Sequence, residues 1–179
     1  LWNALATQDT RMIKASMDQF HSLPDNCNFV NYIRCHDDLG WALDPDIEQS
    51  LMIDPQLHKE YLYHFYEGSI PGSWSIGSLF NYDPVTRDAR SNGRAASLCG
   101  IEKGLEAGDE QKIQAGISRL LLMNAAGMSL RGFLMIYSGD EVAQLNDYTF
   151  EKDPQLAKEN RNIPRNHFDW DWAAKRHEP

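Results

Sequence analysis

Two short acidic runs each follow an apolar stretch of the sequence. The first is His36-Asp37-Asp38 in the segment RCHDDLGW, and the second is Asp140-Glu141 in IYSGDE. Adjacent carboxylates repel each other, so an isolated loop gains nothing by carrying them side by side. Paired carboxylates suit chemistry on glycosides, because an oxocarbenium-like transition state needs negative charge, a proton donor and hydrogen bonds to sugar hydroxyls.

Two other uses of the first run stay open. Aspartate and histidine bind cations, so the run could belong to a metal-dependent hydrolase that uses His36, Asp37 and Asp38. Contiguous residues of an extended segment point their side chains in alternating directions, which argues against a shared ion. The run could also be a solvated loop in which one aspartate caps a helix.

The elements around these runs predict an α/β fold. Residues 28–34 and 132–137 are short apolar stretches, and both are predicted to form buried strands. Helical patterns between them indicate parallel β/α units, whose chemistry collects at the carboxyl ends of the strands. A helix is predicted at 10–21 with Asp9 as its cap, and two short helices opened by Asp-Pro are predicted within 44–66. Further helices are predicted at 94–105, at 109–128 and near 169–176. Residues 67–93 are predicted to be an irregular excursion.

Composition excludes several classes of partner. The chain has 179 residues, a formal net charge of −9 and 42% hydrophobic residues, which fits one soluble domain. Its acidic balance argues against a nucleic-acid partner, and the longest apolar run is too short to span a membrane. Three cysteines without metal-ligand spacing predict reduced thiols and a cytoplasmic protein. Because the chain begins with Leu1 rather than Met, we expect it to be a piece of a longer protein.

Four segments resemble one enzyme family in register. NYIRCHDDLGW resembles the strand-seven motif of the α-amylase superfamily, glycoside hydrolase family 13, and is most similar to its amylosucrase-like branch. IYSGDE resembles the strand-eight motif, LWNALATQDTR the approach to the sixth helix, and LFNYDPVTRDARSNGRAASL the insertion after strand seven. The resemblance implies that residues 1–179 are a largely helical C-terminal fragment of a (β/α)8 TIM barrel, holding strands 7 and 8 and an insertion subdomain at about 42–93.

The resemblance also implies roles for five residues. Asp37 would be the transition-state stabiliser, and His36 would hydrogen-bond the same glucosyl ring. Asp38 and Arg90 would reach the neighbouring acceptor subsite, and Arg161 would pair with an upstream acid to close the pocket floor. The sequence departs from the family pattern around this last arginine, where Glu159-Asn160 stands for Asp-Ser and Asn162 for Trp. Neither a metal nor a cofactor is expected, and Asp140-Glu141 is expected to shape the rim rather than to catalyse.

The implied activity is that of a retaining α-glucoside enzyme, whose parent protein transfers glucosyl units from sucrose to an α-glucan. Hydrolysis of sucrose or another α-glucoside is the first alternative, and a trehalose-isomerising relative is the second. The family's nucleophile lies in a Gly-Phe-Arg-x-Asp pattern that this sequence lacks, and no acid Glu follows a further apolar strand. We therefore expect the chain to be inactive alone.

An alternative hypothesis, from a different functional class, is that the chain is a non-catalytic carbohydrate-binding module. Aromatic residues of the 67–93 excursion, Trp74, Phe80 and Tyr82, would then stack on sugars. Strand edges left open by a partial barrel could instead pair two copies, so we expect a homo-oligomer or a rearranged, mostly helical fold.

Overall fold

The computed structural model describes residues 1–18 and 24–177, which form an α/β fold rich in helix. The helices are α1 (Trp2–Thr7), α2 (Arg11–Asp18), α3 (Pro45–Ser50), α4 (Pro55–Glu67), α5 (Ala95–Leu98), α6 (Ile101–Glu106), α7 (Glu110–Ser129) and α8 (Trp170–Ala174). Short 3₁₀ turns lie at Asp140–Val142, Thr149–Lys152, Asn160–Asn162 and Lys175–His177. Within the described ranges, no helix has both the length and the apolar character needed to cross a membrane.

The two apolar stretches pair with each other as parallel strands. β1 (Val30–Asn31) aligns with β4 (Phe133–Leu134), with Val30 opposite Phe133. This parallel pairing was predicted, but the strands are two residues long rather than six or seven. The prediction that both are buried is wrong, since Val30 is 59% and Phe133 67% exposed. A two-stranded sheet has too few neighbours to cover its outer surfaces.

The region predicted as an irregular excursion contains a β-hairpin. β2 (Ser78–Asp83) pairs with β3 (Asp88–Asn92) in antiparallel register, and the pairing shifts between Phe80 and Asp83. The Asp83 carboxylate accepts hydrogen bonds from the backbone amides of Val85 and Thr86, which stabilises the tight turn. Scattered glycines and prolines in this stretch hid the strands from a sequence-pattern argument.

Most helix predictions are confirmed, with shifted ends. The side chains of Asp44 and Asp54 each cap a helix that begins at the following proline, as predicted from the Asp-Pro pairs. The predicted helix at 94–105 is divided into α5 and α6 at Gly100, whose φ of 97° favours glycine. The predicted helix at 10–21 begins at Arg11 and is described to Asp18, and its remaining residues lie outside the described ranges.

The core lies around α4 rather than beneath the parallel pair. Tyr66 of α4 stacks on Trp41 with ring centroids 5.5 Å apart and meets the edge of Trp2 at 5.3 Å. Its hydroxyl donates to the Trp2 carbonyl, and the Trp2 indole N–H donates to the Ile33 carbonyl at 2.6 Å. Each buried aromatic side chain contributes roughly 1.5–3 kcal/mol by leaving water. These contacts fix the segment after β1, which carries the first acidic run, against the helices.

Candidate functional site

The first acidic run is held in place by the hairpin. After β1 the chain bends at residues 36–37, and Leu39 then pairs with Ser91 of β3 through two backbone hydrogen bonds of 2.8 and 3.1 Å. The Trp41 indole N–H donates to the Ser91 hydroxyl at 3.0 Å. This pairing places Asp38 beside Arg90 of β3, whose Nη1 lies 3.7 Å from Asp38 Oδ2.

Arg161 bridges both carboxylates of the run. Its Nη2 lies 3.0 Å from Asp37 Oδ1 and 3.3 Å from Asp38 Oδ2, and its Nε donates to Asp38 Oδ1 at 3.3 Å. The guanidinium also lies over the ring of Phe80, 4.8 Å from the centroid, where a cation–π contact favours it. The family resemblance implies an acid outside this chain as the partner of Arg161, whereas in the structure its partners are Asp37 and Asp38.

The turn that carries Arg161 is anchored on the hairpin. The Asn92 side-chain amide donates to the Asn160 carbonyl at 2.6 Å, and the Asn160 amide donates to the Leu79 carbonyl at 3.4 Å. The Glu159 carboxylate accepts from the Arg161 backbone amide at 3.3 Å. These contacts bring a segment more than 120 residues downstream onto the first acidic run.

Arg165 is a site residue that sequence reasoning missed. Its Nε donates to the His36 carbonyl at 3.1 Å, and its Nη2 lies 3.3 Å from Asp37 Oδ1. The available signal was a second arginine four residues after Arg161, in NRNIPRN. With Arg165 the site holds three guanidinium groups around two carboxylates, which removes the repulsion between adjacent acids.

The two carboxylates differ in exposure. The Asp38 side chain is fully buried, whereas the side chains of Asp37, His36 and Arg90 are 50%, 65% and 56% exposed. A buried carboxylate depends on its cations, and loss of one partner typically costs about 3–5 kcal/mol. Asp37 presents its Oδ2 toward His36 Nε2 at 3.5 Å, on a side that solvent reaches. Asp38 is therefore the fixed member of the pair and Asp37 the accessible one.

All five residues predicted from the sequence lie in this one cluster. His36, Asp37, Asp38, Arg90 and Arg161 come from β1's carboxyl end, from β3 and from the 3₁₀ turn at 160–162. The cluster offers carboxylate acceptors beside imidazole and guanidinium donors at a partly open surface. Such a set can hydrogen-bond several hydroxyl groups of a polar ligand, and Asp37 can present a carboxylate oxygen to it.

The second acidic run does not join this cluster. The side chain of Asp140 is 1% exposed, and burial raises its pKa to about 6. Arg94 Nη1 lies 3.7 Å from Asp140 Oδ1, but neither carboxylate oxygen has a hydrogen-bond partner among the described residues. Glu141 bends back and accepts from the Gly139 amide at 2.7 Å.

Two buried arginines surround Asp140. Arg34 donates to the Asn92 side-chain oxygen at 3.2 Å, and burial lowers its pKa to about 10. Arg94 donates to the Ser138 carbonyl at 2.6 Å and to the Asn166 side chain at 2.7 Å. These contacts link the segment after β1 to β3 and the segment after β3 to the loop after β4. Arg34, Arg94 and Asp140 are all buried, so this group offers little surface to a ligand.

The aromatic residues proposed for sugar stacking are largely covered by other side chains. Arg119 lies 3.8 Å above the Trp74 ring, whose edge contact with Phe65 is 4.8 Å between centroids. The guanidinium of Arg161 lies over Phe80. Tyr82 is 49% exposed and contacts Tyr63. Packing against side chains of the same protein therefore accounts for Trp74 and Phe80.

The bend after β1 brings together three side chains of types that ligate metal ions. Cys35 Sγ, a ring nitrogen of His36 and a carboxylate oxygen of Asp37 all lie within 4.8 Å of one another. The argument that contiguous side chains diverge holds for extended backbone and does not apply here, because residues 36–37 are bent.

No model of a known protein family matches this sequence. The fold and the cluster therefore define a class only: a helix-rich α/β protein whose charged cluster lies between the segment after β1, the hairpin strand β3 and the turn at 160–162.

Proposed function

We propose that this chain carries the stabiliser and subsite residues of a retaining α-glucoside enzyme, as the strand-seven and strand-eight part of a (β/α)8 barrel. In the complete enzyme the reaction is glucosyl transfer from sucrose to an α-glucan. The observation that carries the proposal is the convergence of Asp37, His36, Asp38, Arg90 and Arg161 in one cluster, whose first members follow the parallel strand β1 along the chain.

The exposures support a division of roles between the two acids. Asp37 and His36 are open to solvent, so they can accept hydrogen bonds from hydroxyls of the glucosyl ring and donate hydrogen bonds to them. Negative charge on Asp37 favours the oxocarbenium-like transition state over the neutral sugar. Asp38, which is buried against Arg90 and Arg161, fixes the adjacent subsite in position.

The 179-residue chain is proposed to be inactive by itself. Double displacement needs a nucleophilic carboxylate and an acid about 5 Å apart on either side of the scissile bond. Asp37 cannot supply both, because it is a single carboxyl group and the two roles need separate groups. Incubation of the chain with sucrose or maltotriose should release neither glucose nor fructose and should form no glucan.

The deciding experiment uses a longer protein that contains this chain. We expect Asp37→Asn to reduce its kcat on sucrose by at least about 10²–10³-fold, because the substitution keeps shape and removes charge. Asp25→Asn, at an exposed position outside the cluster, is the matched control and should leave the rate unchanged. Wild-type activity in the Asp37 variant would rule out the stabiliser role.

The products separate the alternatives within the class. Glucose and fructose in equal amounts without glucan would indicate sucrose hydrolysis, and rearranged disaccharide would indicate an isomerising relative, because the competing acceptor decides the outcome. Binding of glucan without turnover in a protein that has all eight strands would favour the binding module. Loss of activity with a chelator would favour the metal-dependent hydrolase.

A further inference from the structure

The segment 35–37 gathers three different ligand types on one side of the chain. The Asp37 backbone amide donates to Cys35 Sγ at 3.4 Å, which closes the bend. His36 Nε2 lies 3.5 Å from Asp37 Oδ2, and all three ligand atoms lie within 4.8 Å. Thiolate, imidazole and carboxylate together suit zinc and similar borderline-soft cations better than calcium or magnesium.

The distances between the three ligand atoms are close to those between the ligands of a coordinated ion. With bonds of about 2.0–2.3 Å, neighbouring ligands of a tetrahedral zinc ion stand about 3.3–3.6 Å apart. The observed histidine–aspartate separation already lies in this range, and the remaining separations need to shorten by at most about 1.5 Å to reach it. Partial exposure of His36 and Asp37 leaves a fourth position for water.

We propose that Cys35, His36 and Asp37 bind a zinc-like divalent cation and that the bound cation inhibits the proposed glucoside site. Binding releases the thiol proton to solvent and joins the metal to the sulfur, an imidazole nitrogen and Asp37 Oδ2. The sugar-facing atoms of His36 and Asp37 are then occupied. The inhibitory half of this proposal rests on the proposed function, whereas the metal site does not.

Arg161 and Arg165 have two opposite effects on metal binding at Asp37. Arg161 and Arg165 both hold Asp37 Oδ1, which orients Oδ2 toward His36 as an outer-shell partner orients a ligating carboxylate. Their positive charges also repel a cation, so binding is weaker than in structural zinc sites. A reversible inhibitory ion fits this balance better than a permanent one.

Cobalt provides a direct probe that does not depend on activity. Co²⁺ titrated into the reduced 179-residue chain should give a thiolate-to-cobalt charge-transfer band with one ion per chain, and Zn²⁺ should remove it. Cys35→Ser should abolish the band and weaken zinc binding at least 10-fold. Cys27→Ser removes another exposed thiol and is the matched control, which should behave as wild type. An unchanged band in the Cys35 variant, or a band lost in the Cys27 variant, would overturn the site.

Thiol protection gives a second test on the unaltered chain, which covers the case that a variant misfolds. Zn²⁺ should slow alkylation of Cys35 by iodoacetamide at least 10-fold and leave Cys27 unaffected, as read by mass spectrometry of the peptides. Equal rates with and without zinc at Cys35 would contradict the proposal.

The inhibitory effect is measured separately, in a longer protein that turns over sucrose. Zn²⁺ should lower its rate, a chelator should restore it, and Cys35→Ser should shift half-inhibition to at least 10-fold higher zinc relative to its own zinc-free rate. Cobalt binding without this shift would overturn the inhibitory half and keep the metal site. Absence of any glucoside activity would instead count against the proposed function, while the cobalt result would stand.

Discussion

At the scale of single residues, Asp37 and Asp38 show how neighbouring acids coexist. Asp38 is buried between two guanidiniums, and Asp37 is half exposed and bound by two. Each carboxylate therefore has its own opposing charge, and the shared Arg161 links them. A sequence argument identifies the acids but cannot assign which one is buried, because the exposure depends on the strand pairing between Leu39 and Ser91.

We expect the buried Asp140 carboxyl group to make the free energy of unfolding depend on pH. Its pKa is about 6 in the folded chain because of burial, against an ordinary value of 3.8, so the folded state binds more protons between about pH 4 and 6. The contribution of Asp140 to the free energy of unfolding is fully present below pH 4 and is lost as pH rises to 6. The loss is about 3 kcal/mol, at about 1.4 kcal/mol for each pH unit.

Asp140→Asn removes this titration while keeping the shape of the side chain. We expect the free energy of unfolding of the variant, relative to wild type, to increase from pH 4 to pH 7 by about 1–3 kcal/mol. Urea unfolding at half-unit pH steps measures it, with an unchanged m-value as the check that the folded state is the same. A constant difference across the range would show that the Asp140 proton is lost equally in both states.

At the scale of elements, the order of helices and the parallel relation of β1 and β4 were predictable from the sequence. Capping aspartates before proline and apolar periodicity mark the helix starts reliably. The β2–β3 hairpin was not predictable, because Gly77, Pro84 and Gly93 are typical of loops. The shortness and exposure of β1 and β4 were not predicted either, since apolar character alone does not report how many neighbours cover a strand.

For the site, local motifs identified the acids and two arginines, and distance along the chain concealed the rest. Arg165 meets the His36 carbonyl across 129 positions, and no local pattern reports such a contact. Arg34 and Arg94 were not identified because isolated arginines usually lie on the surface, whereas both are 1% exposed here.

Gly132 controls the approach of β4 to β1. Its φ is 130°, and a Cβ atom there would collide with the Phe29 carbonyl oxygen, which accepts the Phe133 amide at 2.9 Å. Gly132→Ala should lower the free energy of unfolding by at least about 2 kcal/mol, from backbone strain and loss of the strand contact. Chemical denaturation measures this change.

Gly40→Ala is the control for that substitution, since Gly40 has no atom within 4 Å of an added Cβ and does not have a positive φ. It should change stability by less than about 0.5 kcal/mol. Equal effects of the two substitutions would show that the parallel pair contributes little to stability.

At the scale of the whole molecule, apolar side chains remain exposed around the parallel pair and along α7. They are Val30 at 59%, Tyr32 at 51%, Leu121 at 63%, Leu122 at 61%, Met128 at 63% and Phe133 at 67%. Apolar surface beside strand edges favours association with another strand or sheet. This surface is where the remaining strands of a barrel would pack under the proposed function.

We expect the 179-residue chain to self-associate with rising concentration through this surface. Val30→Lys should reduce the association, because charged side chains on an edge strand oppose pairing. Val85→Lys is the matched control, at a residue that is 89% exposed in the hairpin turn. Light scattering coupled to size exclusion measures the mass of each variant, and equal association of both would place the contact elsewhere.

The separation of Asp37 from Arg161 along the chain also has a consequence for synthesis. Ribosomes add roughly 5–20 residues per second, so Arg161 follows Asp37 by about 6–25 s, and Arg90 follows Asp38 by about 3–10 s. The hairpin therefore supplies the first counter-charge to the acids, and Arg161 and Arg165 arrive only afterwards. For that interval neither Arg161 nor Arg165 opposes the charge of the acidic pair.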